Sequence, residues 1–85
     1  MYGQNVVAFD WDDANRNHIA RHGVLPEDCE RAMAEPVVTV PGLETGEPRW
    51  KTTGMSKRRP LEVIWTLRGD RYRVVTAYWK TRKQI

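Results

Sequence analysis

The chain has 85 residues, of which 40% are hydrophobic and 29% are charged. This length suits one domain with a single modest core, and the composition excludes an intrinsically disordered segment. The single cysteine, Cys29, excludes an internal disulfide, and no stretch approaches the roughly 20 apolar residues of a transmembrane helix. The N-terminus lacks the basic segment and long apolar run of a signal peptide. We therefore expect one cytoplasmic domain spanning residues 1–85.

The net charge of +3 conceals an uneven distribution along the chain. Residues 1–47 contain nine acidic and three basic residues, a net charge of −6, whereas residues 48–85 contain eleven basic and two acidic residues, a net charge of +9. Such a division is typical of a protein with a polyanion-binding face and an acidic or neutral back. Charges scattered by chance over a solvated surface would explain the composition about equally well.

A strand and a helix are predicted near the N-terminus. The apolar run Val6–Phe9 is typical of a short strand. Asp12 offers an N-cap carboxylate, and the following segment DANRNHIARH has the periodicity of a helix. Gly23 is placed to end this helix, because glycine adopts the left-handed conformation of a helix C-terminus at little cost.

A second, short helix is predicted from Pro26 to the residues before Pro36. Proline is favoured at the first position of a helix, where its missing N–H is not needed, and it cannot continue a helix at the other end. Cys29, Ala32 and Met33 give this helix an apolar stripe. The helix is short, so we expect packing against a sheet to stabilise it.

Four further strands are predicted in the second part of the chain. They are the β-branched run Val37–Val40, the alternating segment Arg49–Met55, the segment Leu61–Leu67, and, after a hairpin turn at Arg68–Arg71, the segment Tyr72–Lys80. Leu61–Leu67 is apolar on both faces and should be central. The order β-α-α-β-β-β-β predicts an α+β fold with a mainly antiparallel sheet and two helices on one face.

Strict alternation in the last strand would separate two candidate functional residues. One face would carry Arg71, Arg73, Val75, Ala77 and Trp79, and the other Tyr72, Val74, Thr76, Tyr78 and Lys80. Arg73 and Tyr78 could then share a site only near an edge, a twist or a bulge. This geometry favours Tyr78 as a platform that stacks on an unpaired base rather than as a proton donor.

The residues that could hold a metal ion form an incomplete set. His18 and His22 have the i, i+4 spacing that can chelate one ion, but the only cysteine is distant in sequence and no HExxH glutamate lies between them. We favour a role for both histidines in packing at the helix end. Magnesium binding by Asp10, Asp12 and Asp13 is an alternative, but N-capping explains these residues more simply. The sequence therefore predicts no metal and no cofactor.

RNA can be cleaved without a metal, because its own 2′-OH can attack the adjacent phosphate. The protein must move protons and stabilise charge on the five-coordinate phosphorus. Suitable side chains lie on two predicted strands that could be close in the sheet: Arg49, Lys51, Arg73, Tyr78 and Lys80. A basic sheet edge that is protected by charge against aggregation would explain the same residues, and the chemistry alone leaves both interpretations open.

Several blocks, in this order along nearly the whole chain, resemble the BrnT toxin family. They are FDWDD from Phe9, HIARHGV from His18, PED from Pro26, GEPRWKTTG from Gly46 and RVVTA from Arg73. The resemblance implies a RelE-like ribonuclease fold, metal-independent RNA cleavage that stops translation, and neutralisation by a cognate BrnA-like antitoxin. The resemblance allows assembly into a toxin–antitoxin heterotetramer, and it implies no association with a membrane.

The resemblance also suggests site residues. Arg49 matches the family's arginine after the acidic loop, and Arg73 matches the one that opens the last strand. Thr76 stands where the family usually has serine, and Tyr78 where it usually has arginine. We predict catalytic roles for Arg49, Arg73, Lys51 and Tyr78, and RNA-binding roles for Lys57, Arg58, Arg59, Arg71, Lys80 and Arg82. The alternatives are a non-catalytic nucleic-acid-binding or regulatory module of the same fold, and a structural relic that binds only an antitoxin-like chain.

Overall fold

The computed structural model describes residues 8–42 and 46–80, in which two helices precede four strands. The elements are α1 (Asp13–Ala20), α2 (Pro26–Ala34), β1 (Pro36–Pro41), β2 (Trp50–Ser56), β3 (Arg59–Arg68) and β4 (Arg71–Trp79). The strands form one sheet in the order β1-β2-β3-β4, and each neighbouring pair is antiparallel. The predicted α+β fold, with its antiparallel sheet and two helices on one face, is confirmed.

The segment before α1 runs along the outer edge of β4. Phe9 forms an isolated parallel bridge with Tyr72. The Tyr72 N–H donates to the Ala8 carbonyl at 3.0 Å, and the Asp10 N–H donates to the Tyr72 carbonyl at 2.8 Å. The remainder of the predicted first strand, Val6 and Val7, lies outside the described residues, and so does Arg82.

Helix α1 begins with the predicted N-cap and is fixed to β4 by a buried amide. The Asp12 carboxylate accepts from the Asn15 N–H at 3.1 Å, and the Asn15 side-chain oxygen accepts from the Asp12 N–H at 2.8 Å. This capping box satisfies two N–H groups that the helix itself leaves unpaired. The Asn15 side-chain N–H₂ donates to the carbonyls of Asp10 and Val74. Gly23 follows the helix with a φ of +71°, as predicted.

Helix α2 packs very closely on the sheet at Gly54 of β2. A Cβ atom at this position would collide with the backbone carbonyl of Ala32, so only glycine permits the observed approach. Cys29 and Ala32 are fully buried, which confirms the predicted apolar stripe. Burial raises the pKa of the Cys29 thiol to about 12, with smaller contributions from neighbouring carboxylates, so this thiol is not activated as a nucleophile.

The core lies between the two helices and one face of the sheet. Its buried apolar residues are Ile19, Val24, Cys29, Ala32, Leu61, Val63, Val74 and Ala77. We call this face the helix-covered face and the opposite one the open face, because no helix or strand of residues 8–42 and 46–80 covers the latter. Neither helix in this part of the chain is long and apolar enough to cross a membrane.

The predicted alternation of the last strand is wrong beyond Val75, because β4 contains a bulge there. Trp65 of β3 pairs with Val74, and the preceding Ile64 pairs with Thr76, so Val75 has no partner of its own. The extra residue reverses the sides of those that follow it. Val74 and Ala77 are consequently both in the core, although they are three residues apart.

The bulge also changes the surroundings of the candidate site residues. Ala77 and Trp79 lie on the helix-covered face, not on the face of Arg73 as predicted. Thr76 and Tyr78 instead share the open face with Arg73. The open face carries Lys51 and Thr53 of β2, Glu62, Ile64 and Thr66 of β3, and Arg73, Thr76 and Tyr78 of β4.

A buried carboxylate joins the start of α2 to the end of β2. Asp28 accepts hydrogen bonds from the Leu25 N–H at 3.0 Å, the Ser56 hydroxyl at 2.9 Å and the Arg31 guanidinium at 2.9 Å. Burial alone would raise the pKa of Asp28, but these three donors outweigh it and hold the pKa below its ordinary value. The ionised carboxylate therefore stabilises the fold.

We predict that Asp28→Asn lowers the free energy of unfolding by about 1–3 kcal/mol, because an amide cannot accept all three hydrogen bonds. Since the folded pKa is depressed, this stabilisation is complete above the ordinary aspartate pKa of about 3.9 and is lost as the pH falls through the folded value. Denaturant unfolding near neutral pH and again near pH 3 measures both effects. Glu27→Gln, at an exposed position in the same turn, is the control, and an equal loss in the two variants would contradict the prediction.

Candidate functional site

Three arginines, Arg49, Arg68 and Arg73, line one cleft on the open face, next to α1. The other lining residues include His18, Glu47, Thr66 and Val75. The Thr66 hydroxyl donates to the Pro48 carbonyl at 2.6 Å and so holds the segment that carries Arg49 against β3. We call this feature the arginine cleft. Its volume is about 260 Å³, and its lining of cationic and polar side chains suits an anionic group such as a phosphate.

Arg73 is largely neutralised by two carboxylates from the segment before α1. Its guanidinium lies 3.3 Å from Asp10 Oδ2 and 3.1 Å from Asp12 Oδ2, and the side chain is only 15% exposed. The hydrogen bond to Asp12 is the main cause of a raised pKa at Arg73. The Asn15 N–H, followed by Arg73, lowers the pKa of Asp12. Arg73 therefore fastens the N-terminal segment to β4 as well as lining the cleft.

Arg49 is less neutralised than Arg73. Among residues 8–42 and 46–80, the only carboxylate near it is that of Glu47, at 3.9 Å. The Arg49 Nε–H is buried and has no hydrogen-bond partner in this part of the chain. A buried donor without a partner is costly, and an anion in the cleft would offset that cost. Arg49 is thus better placed than Arg73 to stabilise new negative charge in the cleft.

His18 is a member of the cleft that the sequence did not identify as functional. Its ring centroid lies 6.2 Å from that of His22, which in turn lies 6.2 Å from the Tyr78 ring. Both histidines are exposed, and their ring contacts at the end of α1 agree with the predicted packing role. The described residues contain no group of three or more His, Cys, Asp or Glu side chains that could hold a metal. The i, i+4 spacing of His18 and His22 indicated that both lie on one face of the helix. Only the tertiary structure shows that His18 borders the same cleft as Arg49.

A second cluster on the open face surrounds Glu62, and we call it the Glu62 cluster. Lys51 Nζ lies 3.2 Å and Lys80 Nζ 3.9 Å from the Glu62 carboxylate, whose side chain is 8% exposed. Tyr78 is the cross-strand partner of Glu62. Burial, followed by the neighbouring Glu62 carboxylate, raises the pKa of Tyr78. Sequence reasoning missed Glu62 because it lies within an otherwise apolar strand.

The four predicted catalytic residues fall into these two clusters. Arg49 and Arg73 share the arginine cleft, whereas Lys51 and Tyr78 share the Glu62 cluster. Arg73 and Tyr78 are five residues apart, one of them in the bulge, so their Cα atoms are separated by about 13 Å along the strand. The bulge thus places them on one face but not around one phosphate.

The predicted RNA-binding residues occupy opposite ends of the sheet. Lys57 and Arg58 form the exposed β2–β3 turn with φ values of 51° and 67°. Arg59 lies 4.2 Å from the Trp79 ring centroid in a cation–π contact. Arg71, the first residue of β4, is exposed at the other end of the sheet, about 30 Å away because the adjoining β3 has ten residues. The basic residues border the open face at both ends instead of forming a single patch.

Comparison with known proteins identifies the family. Residues 11–84 match the sequence model of BrnT, described as a ribonuclease toxin of type II toxin–antitoxin systems. Neither the curated proteins nor the solved structures give a significant match. Because the family model covers nearly the whole chain, the protein belongs to the BrnT family of ribonuclease toxins. Membership implies a cognate antitoxin as partner, and it confirms the resemblance inferred from the sequence blocks.

We predict that Arg73→Gln lowers the free energy of unfolding by about 1–3 kcal/mol, because it removes hydrogen bonds to two carboxylates that fasten α1 to β4. The matched Arg49→Gln should change stability by less than about 0.5 kcal/mol, since the ionic contact of Arg49 within residues 8–42 and 46–80 is a single one at 3.9 Å. Chemical denaturation of both variants measures the difference. A loss at Arg49 as large as that at Arg73 would show that the ion pairs of Arg73 contribute little.

Proposed function

We propose that this protein is a metal-independent endoribonuclease that cleaves single-stranded RNA through the 2′-OH. The observation that carries the proposal is the arginine cleft, because its lining combines three arginines, Arg49, Arg68 and Arg73, with the imidazole of His18. Family membership supports ribonuclease activity, and the cleft supplies cationic and proton-exchanging groups on one accessible surface.

The proposed reaction uses the cleft in a simple way. The 2′-oxygen attacks the adjacent phosphorus, the bond from phosphorus to the 5′-oxygen breaks, and a 2′,3′-cyclic phosphate forms. Arg49 stabilises the charge that develops on the phosphoryl oxygens, which a preorganised cation does effectively. His18 is the candidate for proton exchange with the attacking or leaving oxygen, since imidazole can both accept and donate a proton near neutral pH. Arg73 fixes the side of the cleft formed by α1, because its ion pairs with Asp10 and Asp12 fasten the segment before that helix to β4.

The Glu62 cluster has a different part in this proposal. Lys51 and Tyr78 are too far along the strands from the cleft for both clusters to surround the same phosphate. We assign them, with Lys80, to RNA flanking the cleaved bond. The bases of unpaired RNA commonly stack on aromatic side chains, and lysines contact phosphates. The exposed basic residues at both ends of the sheet, such as Lys57 and Arg71, would attract the RNA before it reaches the cleft.

In the cell, RNA cleavage in the cytoplasm would stop translation until an antitoxin blocks the toxin. We propose that a BrnA-like antitoxin covers the open face in a heterotetramer, with acidic or apolar segments near Lys51 and β4. The support for this location is that the described part of the chain leaves the open face uncovered. An acidic segment there would mask the charge that RNA needs.

A second candidate function is nucleic-acid binding without catalysis. The pairing of Arg73 with Asp10 and Asp12 favours it, because a neutralised arginine offers less charge to a transition state. Tyr78 at the position of a family arginine points in the same direction. Cleavage assays separate the two candidates directly, since a binding module would retain RNA without producing new ends.

We predict that Arg49→Ala reduces the rate of cleavage about 10²–10³-fold while RNA binding changes much less, because a charge-stabilising group acts mainly in the transition state. Arg16→Ala removes the same charge from the helix side and should cleave like the wild type. Single-turnover cleavage and equilibrium binding of one single-stranded RNA give both quantities. Near-full activity of Arg49→Ala would refute its catalytic role.

We further predict that cleavage persists in EDTA and leaves 2′,3′-cyclic phosphate or 3′-phosphate ends, because the proposed reaction uses only groups of the protein and the RNA. Chemical analysis of the ends, with and without chelator, provides the measurement. Activity that is abolished by EDTA and restored only by a divalent ion would replace this mechanism with a metal-assisted one at Asp10 and Asp12 or at the histidine pair.

A further inference from the structure

Glu62 is an unusual residue for its position. It is a carboxylate with 8% side-chain exposure in the middle of the strand sequence LEVIWTL, and it is accompanied by two lysines. Burying charged groups is costly, and replacing such groups by apolar residues is often neutral or stabilising. An apolar side chain facing Thr53 and Tyr78 would serve the sheet at least as well. Stability alone therefore gives little reason for this carboxylate.

The arrangement around Glu62 restrains the ring of Tyr78. Glu62 lies directly across from Tyr78 in the β3–β4 ladder, and the His22 ring contacts the Tyr78 ring edge-on at a centroid distance of 6.2 Å. Tyr78 nevertheless keeps 37% of its surface exposed. An aromatic side chain that is held from two sides and open on a third is preorganised for stacking.

Lys51 and Lys80 complete the feature. Their ammonium groups lie at 3.2 and 3.9 Å from opposite oxygens of the Glu62 carboxylate, so one anion restrains two long and flexible cations. Both side chains remain partly exposed, at 42% and 28%. They can therefore face a phosphate while they keep their contact with Glu62.

We propose that Glu62 is a positioning residue that fixes Tyr78 as a stacking platform for one RNA base, with Lys51 and Lys80 beside it for the adjoining phosphate. This inference rests on the proposed function. Because Tyr78 lies about 13 Å along β4 from Arg73, the base on the platform belongs to a nucleotide that flanks the cleaved bond. The Glu62 cluster then governs substrate binding, whereas the arginine cleft governs the chemical step.

The proposal predicts an effect opposite in sign to simple electrostatics. Glu62 is an anion on a surface that binds a polyanion, so charge alone predicts that Glu62→Gln improves RNA binding. A positioning role predicts the reverse, because the neutral amide no longer pairs with either lysine and attracts the neighbouring Tyr78 hydroxyl less than the carboxylate does. The sign of the change in KM thus distinguishes the two views.

The experiment compares Glu62→Gln, Tyr78→Phe and the double variant in the cleavage of one single-stranded RNA. Each single variant should raise KM roughly fivefold and leave kcat within about twofold. A fivefold rise in KM is smaller than the loss of affinity expected when a whole stacked base is lost, because the ring itself remains in both variants. Because Glu62 acts partly through the tyrosine hydroxyl, the double variant should show less than the product of the two single effects. Glu27→Gln removes the same charge from the helix side and should leave KM unchanged.

A second readout does not depend on RNA. Within residues 8–42 and 46–80, the ionisable groups that face Tyr78 are its cross-strand partner Glu62 on β3 and His22 after α1, and Lys51 and Lys80 are paired with that same Glu62. Since burial and then Glu62 raise the pKa of Tyr78, Glu62→Gln should lower it towards the ordinary tyrosine value. Ultraviolet titration measures this change. The same titration of Tyr78→Phe shows which part of the tyrosine absorbance change belongs to Tyr78. An unchanged titration would show that Glu62 does not hold the hydroxyl.

The outcomes separate this inference from the proposed function. A folded wild-type protein that neither cleaves nor binds single-stranded RNA would overturn both. Cleavage by the wild type with an unchanged or lower KM in Glu62→Gln would overturn only the positioning role. If Glu62→Gln does not fold, Tyr78→Phe decides, because an unaltered KM in that variant would exclude a platform that needs the hydroxyl.

Discussion

The bulge at Val75 is the constraint on which the arrangement of the candidate site depends. An unbroken β4 could not bury both Val74 and Ala77, because residues three apart in a regular strand point to opposite faces. The extra residue allows the core to keep both and moves Tyr78 to the face that carries Arg73. Bulges commonly redirect side chains in this way beside functional sites. Core packing and the composition of the open face are thus settled by one local irregularity.

Much of the fold follows from local sequence signals. The N-cap at Asp12, the proline at the start of α2 and the apolar segment that forms β3 predicted the elements correctly, because each acts through its nearest neighbours. The bulge left no comparable signal, since Val75 is a favourable strand residue on either face. The close approach of α2 at Gly54 was also hidden, because a glycine reveals the space around it only after the helix is placed.

The part of the candidate site that could be predicted from the sequence is the part that depends on residue type alone. Arg49 and Arg73 could be chosen as phosphate-binding cations, and the structure places both in one cleft. What the sequence could not supply was the distribution of carboxylates around the cations. Glu62 was hidden within an apolar strand, and Asp10 was explained by the start of a helix. Ion pairs between residues about 60 positions apart depend on topology and have no sequence period.

The carboxylates change the meaning of the charge asymmetry along the chain. The acidic residues in the first half of the chain are not confined to the helices. Asp10 and Asp12 contact Arg73 of β4 and neutralise its charge. Glu62 likewise offsets charge at the two lysines beside it. Among residues 8–42 and 46–80, the basic side chains with the least carboxylate contact are therefore those at the ends of the sheet and Arg49, whereas Arg73, Lys51 and Lys80 on the open face are paired. Under the proposed function, such a distribution would attract RNA at the periphery, hold it at restrained side chains, and leave Arg49 available for the phosphate that reacts.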